Sequence, residues 1–495
     1  MSITSFSFLC FFAAVLFLYY VIPKKAQWSF LLFVSFAFFM TSSEVTESGG
    51  WYVIFYPLAA VAAVYFAARL MDRTKEQKKR RAALICAVIF CIGLLCTLKF
   101  FRLPLLAPMG ISFYTLTLLG YLFDVYYEIG KVQNNYGKLV LFTCYFPTMV
   151  SGPILKYGEM EEQLYSGHKL DYRRVTFGMQ RMLWGFFKKL VISERMAVIA
   201  NEIFNNYESY AGFPVWIGAI AFTFQLYTDF AGCMDIVLGI SECFGIILPE
   251  NFNAPFLARN ISEYWRRWHI TLGTWLKEYL FYPLLRTKFF MQLPKKLKDK
   301  VGKKRAKQIT TFLAMFLLWF AIGYWHGGTW NFIIGSGLLH WFYIVSGELA
   351  EPLFVKMRAF FHIKTESRGF ILFQRLRTFL LVVLGLIFFR SSTVSDALRM
   401  IGRGFSAFNP QIFVDGTLFS FGLDWIELTI AVVSLLIFEW VTIQQQKGWM
   451  RERLEKTNIV VRWIVLYALL FYVILLGQYG PGYSASEFIY QNFKV

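Results

Sequence analysis

Apolar runs separated by short polar connections recur along the whole chain, at 5–22, 26–41, 51–71, 82–101, 103–123, 138–154, 214–228, 231–248, 308–324, 330–347, 376–390, 423–443 and 460–478. A helix crossing a hydrocarbon core needs ~20 such residues, and it satisfies its backbone polar groups internally. Several runs are shorter, so they are expected to tilt, re-enter or shelter behind neighbouring helices. Two further stretches, 176–200 and 264–286, mix charges with aromatic residues and predict buried, re-entrant or interfacial helices. No stretch of several tens of residues is polar enough for a separate soluble domain, and no internal repeat is visible. The pattern predicts an all-α polytopic membrane protein in which residues 1–495 form one integral membrane domain.

Composition agrees with the pattern. Of 495 residues, 57% are hydrophobic and only 16% charged, well below the quarter expected of a soluble domain. The net charge of +19 raises nucleic acid as a partner, but the placement of the basic residues excludes it. They concentrate in short runs between apolar segments, at 72–81 and at 295–307, where eight Lys or Arg face one Asp. This is the positive-inside signal, with attraction to anionic headgroups as a secondary reading. Both runs are read as basic cytoplasmic loops. Lys24 and Lys25 belong to the same side, and the 41–50 connection, with Glu44, Glu47 and no base, belongs outside. The first apolar run lacks a basic leader and a small-residue cleavage site, so it is expected to be a retained span with its N-terminus outside. Seven cysteines lie in apolar surroundings without CxxC pairing, and no Cys/His cluster has zinc spacing. No metal site is expected.

Ionisable groups at bilayer depth are costly and point to function. Of five histidines, His168 and His362 lie in polar connections and read as solvated. His326 sits in Gly323-Tyr-Trp-His-Gly-Gly-Thr-Trp-Asn331. With a helix starting near Gln308, it lies ~27 Å along, close to the far side of the core. Gly327 and Gly328 then break the helix and let a ligand approach the backbone. A neutral imidazole there can act as a general base towards a hydroxyl. Locally it reads equally well as an interfacial histidine among the belt residues Trp325 and Trp330.

His269 follows Trp265-Arg-Arg-Trp268. Arg266 and Arg267 could fork onto a phosphate of an acyl carrier or coenzyme A, or snorkel to headgroups. His340, within Leu338-Leu-His-Trp-Phe342, reads as a hydrogen-bonded packing residue or a catalytic one. Asp229 and Asp235 interrupt apolar runs and require partners, with Lys188, Lys189 and Arg266 the candidates. No Walker A, GxSxG, HExxH or GxGxxG pattern occurs, which disfavours nucleotide hydrolysis, serine-hydrolase chemistry and zinc proteolysis.

Through these residues the chain resembles the membrane-bound O-acyltransferase superfamily, and more closely its bacterial branch of alginate O-acetyltransferase-like proteins. Segments match in the family's order: Pro108–Tyr114 with Asp124–Tyr126, Phe146–Pro153, Gly185–Lys189, Phe224–Gly232, Pro249–Asn253, Trp265–Trp275, Gly323–Asn331, and Tyr479–Tyr483 with Phe488–Tyr490. After Tyr282-Pro-Leu-Leu285 the chain departs from the alginate-type pattern, lacking a glycine-rich turn and carrying the basic run instead. The resemblance implies about a dozen spanning or re-entrant helices around a thinned centre, with an outer funnel and a cytoplasmic opening. It implies His326 as the main catalytic residue and His269 as the second. Arg266, Arg267, Trp325, Asn331, His340 and Asp229 are the candidate substrate- or donor-binding residues.

The expected activity is transfer of an acyl group, foremost acetyl, from a cytoplasmic thioester such as acetyl-coenzyme A to an extracytoplasmic hydroxyl. The donor is a substrate, and no bound cofactor is expected. The acceptor is a polysaccharide of the envelope or an exopolysaccharide, reached directly or through a separate acetyl-transferring partner protein. The setting is a bacterial cytoplasmic membrane. A rival within the family is D-alanyl transfer to teichoic acid from an acyl carrier protein. A rival from another class is a glycolipid transporter or flippase, which would move its substrate without an acyl donor and without a need for His326.

Overall fold

The computed structural model describes residues 1–42, 45, 49–100 and 107–479. The acidic part of the 41–50 connection, with Glu44 and Glu47, lies outside the described residues, as does the Gly480–Tyr490 part of the C-terminal match. The chain is a multi-pass membrane protein built of helices, and its described residues carry only one isolated β-bridge, Phe252 with Trp268. Seven described helices are long and apolar enough to cross a membrane, and Phe6–Val21 and Ile111–Tyr126 are shorter apolar helices.

The main helices are α1 (Phe6–Val21), α2 (Lys24–Phe39), α3 (Phe55–Arg73), α4 (Gln77–Lys99), α5 (Ile111–Tyr126), α6 (Tyr172–Phe186), α7 (Glu194–Asn205) and α8 (Phe213–Cys243). They continue with α9 (Ile261–Arg267), α10 (Ile270–Leu276), α11 (Lys288–Val301), α12 (Lys303–Gly327), α13 (Leu339–Phe360) and α14 (Arg368–Arg390). The last are α15 (Val394–Phe405), α16 (Trp425–Gln445) and α17 (Ile459–Leu476). Wider π turns occupy 187–193, 277–281 and 333–338. The 138–154 run forms short pieces, Tyr136–Thr143 and Phe146–Met149, instead of a span.

Three elements differ from the hydropathy pattern. The run 214–228 and most of 231–248 form one continuous 31-residue helix, α8, which ends at Cys243. No breaker separates them, and at ~46 Å the helix exceeds a bilayer core, so much of its surface is enclosed by protein. The basic run at 295–307 is helical apart from Gly302, which turns with φ +82° between α11 and α12. Lysine and arginine are good helix formers, so α12 starts a turn before Gln308. His168 is half-buried, its ring nitrogen 2.7 Å from the Gln163 carbonyl, because Gln27 reaches across to hold its backbone.

Helix α8 packs antiparallel on α6 along a glycine seam. A Cβ on Gly178 would lie 2.5 Å from the Gly239 carbonyl, and one on Gly185 would lie 2.6 Å from the Gly232 carbonyl. Small residues let helices approach closely where lipid offers no hydrophobic drive to associate. At the upper end of the seam, Lys189 bonds Asp229 and Glu194, both at 2.6 Å and all deeply buried. Lower down, Asp235 receives Lys188 at 2.5 Å and Arg181 at 3.0 Å, and Arg181 continues to Glu250 at 2.5 Å. The partners expected of Asp229 and Asp235 are therefore Lys189 and Lys188, with Arg266 uninvolved.

Polar connections gather at one end of the bundle. Gln27 bonds the His168 carbonyl, Tyr20 the Cys243 carbonyl, Arg173 pairs with Glu455, and Arg451 pairs with Glu242. Arg80 bonds the Tyr126 carbonyl and Glu128 at this same end, which also carries the basic residues of 72–81.

Candidate active site

His326 lies near the C-terminus of α12, ~35 Å from its first residue, and is 4% exposed. The last carbonyls of a helix need outside donors. Lys99, at the end of α4, supplies one, donating from Nζ to the Trp325 carbonyl at 2.7 Å while lying 5.2 Å from the Trp325 ring centroid. Gly328 then turns the chain with φ +74°. The returning π turn comes close because Gly323 and Gly337 leave room, a Cβ on Gly337 meeting the Trp319 carbonyl at 2.5 Å. This approach brings Ser336 Oγ within 3.0 Å of His326 Nδ1, while the Ser336 hydroxyl donates to the Phe332 carbonyl at 2.7 Å. Phe389 of α14 packs edge-on to the His326 ring at 5.7 Å between centroids.

His269 is held quite differently. It connects α9 to α10 with φ +46°, a left-handed conformation rare outside glycine, and is 1% exposed. Such strain persists only where surrounding structure over-determines it. Here the 251–253 segment clamps both sides: the Ile270 N–H donates to the Asn251 carbonyl at 3.0 Å, and the Asn253 N–H to the Arg267 carbonyl at 2.9 Å. Asn251 Oδ1 then accepts the Thr271 N–H at 3.1 Å and the Thr271 hydroxyl at 3.0 Å, and lies 3.2 Å from His269 Nδ1.

Trp325 joins the two histidines. Its ring lies 5.1 Å from that of His326 and 6.1 Å from that of His269, with Phe113 of α5 at 6.1 Å closing a further side. His340, one turn beyond Ser336, faces the same region but sits in an aromatic cage of Trp265 at 5.0 Å, Trp319 at 5.8 Å and Tyr264 at 6.4 Å. Its Nδ1 has no hydrogen-bond partner among the described residues.

A cavity of about 540 Å³ enters at the end of the bundle that carries Arg451 and Glu242. Its walls combine Trp184, Tyr227 and Leu469 with the carboxamides of Gln180, Asn251, Asn253, Gln445 and Gln446. Trp449 stands at its rim between Arg181 and Arg451, whose guanidinium carbons lie 5.4 and 5.3 Å from its ring centroid. Asn251 is thus both cavity wall and the hydrogen-bond partner of His269.

The remaining candidates fall elsewhere. Arg266 is exposed, and Arg267 is engaged by Glu263 at 2.9 Å and by the Asn253 carbonyl at 3.1 Å. Burial opposes ionisation of Glu263, but the Arg259 N–H and the Arg267 guanidinium outweigh it and hold the carboxyl below its ordinary value. Asn331 donates to the Ser391 carbonyl at 2.8 Å, capping α14, and accepts from the Thr329 hydroxyl. Asp229 belongs to the Lys189 cluster. Sequence patterns do not single out Asn251, Ser336 or Lys99. Only Asn251 carries a signal, as a member of the Pro249–Asn253 segment.

Residues 134–298 match the model of the MBOAT, membrane-bound O-acyltransferase family, a stretch that contains Asp229, Asn251 and His269 and ends before His326. "Peptidoglycan O-acetyltransferase" of Helicobacter pylori is 30% identical over 71% of this chain and 70% of its own length. "Probable alginate O-acetylase AlgI" of Pseudomonas syringae pv. tomato is 31% identical over 67% of this chain and 58% of its own length. "Teichoic acid D-alanyltransferase" of Bacillus subtilis is 29% identical over 48% of this chain and 58% of its own length. The chain thus spans 58% of the length of that alginate O-acetylase.

Proposed function

The chain belongs to the membrane-bound O-acyltransferase family, and from that premise we propose that it transfers an acyl group, foremost acetyl, from a thioester to a hydroxyl acceptor across a bacterial cytoplasmic membrane. The end of the bundle rich in Lys and Arg is the cytoplasmic one by the positive-inside rule. The donor enters there, into the cavity whose amide and aromatic walls suit an extended chain of methylenes and amides ending in a thioester. Acetyl-coenzyme A supplies such a chain. The observation that carries the proposal is Asn251, which lines the cavity and bonds His269, one of two histidines packed on Trp325.

His326 acts as general base. Its nitrogen takes the proton of an acceptor hydroxyl arriving from outside, the oxygen forms a bond to the thioester carbonyl carbon, and an oxyanion develops. The C–S bond then breaks, and the imidazolium returns its proton to the leaving thiolate. The products are an ester, a free thiol and a neutral His326. His269 is the second catalytic residue, oriented towards the donor carbonyl. In a low-dielectric pocket each such contact is stronger than in water. The acceptor is a cell-envelope or exopolysaccharide, reached directly or through an acetyl-transferring partner.

The Bacillus subtilis relative, named a teichoic acid D-alanyltransferase, supports a second reading, D-alanyl transfer to teichoic acid, with a carrier-protein thioester as the proposed donor. Relatives named as alginate O-acetylase and peptidoglycan O-acetyltransferase match more of this chain, which supports the acetyl reading over the D-alanyl one. Reconstituted vesicles given labelled acetyl-coenzyme A or D-alanyl carrier protein separate the two. His326→Ala is expected to lower transfer at least ~10³-fold, as loss of a base that makes bond formation possible does elsewhere. Wild-type turnover by that variant would reject the assignment.

A further inference from the structure

Both histidines are held through Nδ1 by a neighbour that also bonds a backbone group. The Asn251 side-chain oxygen is identified by the Thr271 N–H, a donor that cannot reverse, at 3.1 Å. An amide oxygen only accepts, so His269 Nδ1, at 3.2 Å, carries the proton. At His326 the Ser336 hydroxyl has one hydrogen and two acceptors in reach, the Phe332 carbonyl at 2.7 Å and His326 Nδ1 at 3.0 Å. The shorter contact favours the carbonyl, which leaves the hydroxyl oxygen to accept from Nδ1–H. Two unrelated pieces of the fold, a strained turn clamped by the 251–253 segment and a π turn, thus favour the same tautomer.

We propose that Ser336 and Asn251 are the positioning residues of this site, fixing the Nδ1–H tautomer of His326 and of His269 so that each ring offers its Nε2 lone pair to the reaction. The proposal rests on the acyl-transfer assignment above. Neither residue needs to touch substrate through this bond. With Ser336 removed, the His326 ring loses its tether and divides between two tautomers and several orientations, only one of which can take the acceptor's proton. A ring in the wrong tautomer is chemically present but unable to act as base.

The test uses the full chain in vesicles with a saturable acetyl-coenzyme A donor. Ser336→Ala is expected to lower kcat about 10- to 100-fold with KM for the donor within about twofold, the size of effect that misplacing a catalytic group produces. Ser336→Thr, which keeps the hydroxyl, is expected to recover kcat to within about threefold. Asn251→Asp, which keeps an acceptor at Oδ1, is expected to retain far more activity than Asn251→Ala. The 15N spectrum of histidine-labelled protein reads the tautomer directly, independent of turnover and of any folding loss in the variants. Nδ1–H at His326 and His269 in the wild type, with mixing at His326 in Ser336→Ala, is the expected result. Nε2–H at His326 in the wild type, or full kcat in Ser336→Ala while His326→Ala is inactive, would overturn the proposal. Full activity in His326→Ala would instead remove His326 as the base of the proposed function, and the spectrum would still decide the tautomer.

Discussion

Single residues in this protein are placed by charges and carbonyls that have no water to turn to. Lys99 closes the open end of α12 just before His326, so one ammonium both satisfies a helix terminus and fixes the level of the candidate base. Lys189 performs the equivalent service for two acids at once. Removing one partner of a buried charge cluster leaves the others uncompensated, at about 3–5 kcal/mol. Lys189→Met is therefore expected to depress the thermal unfolding midpoint in detergent strongly, and Lys189→Met with Asp229→Asn and Glu194→Gln to regain much of the loss. A single variant as stable as the wild type would show that the cluster is not held by charge. The sequence signal of Asp229, an acid inside an apolar run, is correct about the need for a partner, and Lys189 is one of the three candidates the sequence offers.

At the scale of elements, glycines decide which helices touch. The α6 and α8 pair meets through Gly178 against Gly239 and Gly185 against Gly232, with no space for a methyl group at either crossing. Gly185→Ala must push the two backbones apart, and an overpacked crossing costs typically about 1–3 kcal/mol. Thermal unfolding should show that loss, whereas Gly347→Ala in α13, which meets nothing within 4 Å, should be neutral or mildly stabilising. Equal midpoints for the two variants would contradict the seam. The same logic operates at the site, where Gly335 lies on Gly385 and lets the π turn carry Ser336 to His326. A π turn adds a residue to the helical repeat and re-aims the side chains beyond it. Periodicity read from the chain assumes 3.6 residues per turn, and so Ser336 and Lys188 could not be assigned a facing from sequence.

For the whole molecule, the proposed function assigns donor recognition to the cavity between α6, α16, α17 and the 250–254 segment, and bond formation to the histidine pair. The two regions adjoin at Asn251, which lines the cavity and bonds His269. Narrowing the cavity should therefore weaken donor binding without altering the base. Gln445→Trp, at a half-buried position of the wall, is expected to raise KM for the donor about tenfold while kcat stays within about twofold. A fall in kcat with unchanged KM would place the donor elsewhere.

The chain by itself determined the class of molecule and its helical, membrane-spanning character, and it supplied the basic runs and the histidines His326 and His269 on which the proposed function is built. These come from local composition, because lipid demands long apolar helices wherever the chain crosses and penalises every ionisable group left inside. Tertiary structure alone decided the contacts: one long α8 where hydropathy suggested two pieces, the aromatic rings around His340, the Asn331 bond to the Ser391 carbonyl, and the Arg267 pair with Glu263. It also brought Asn251, Ser336 and Lys99 to the histidines from distant parts of the sequence. Hydrogen bonds in a dry interior are set by which backbones come close, and in this protein the glycine crossings and the strained turn at His269 set that closeness, over separations that no spacing rule along a chain can register.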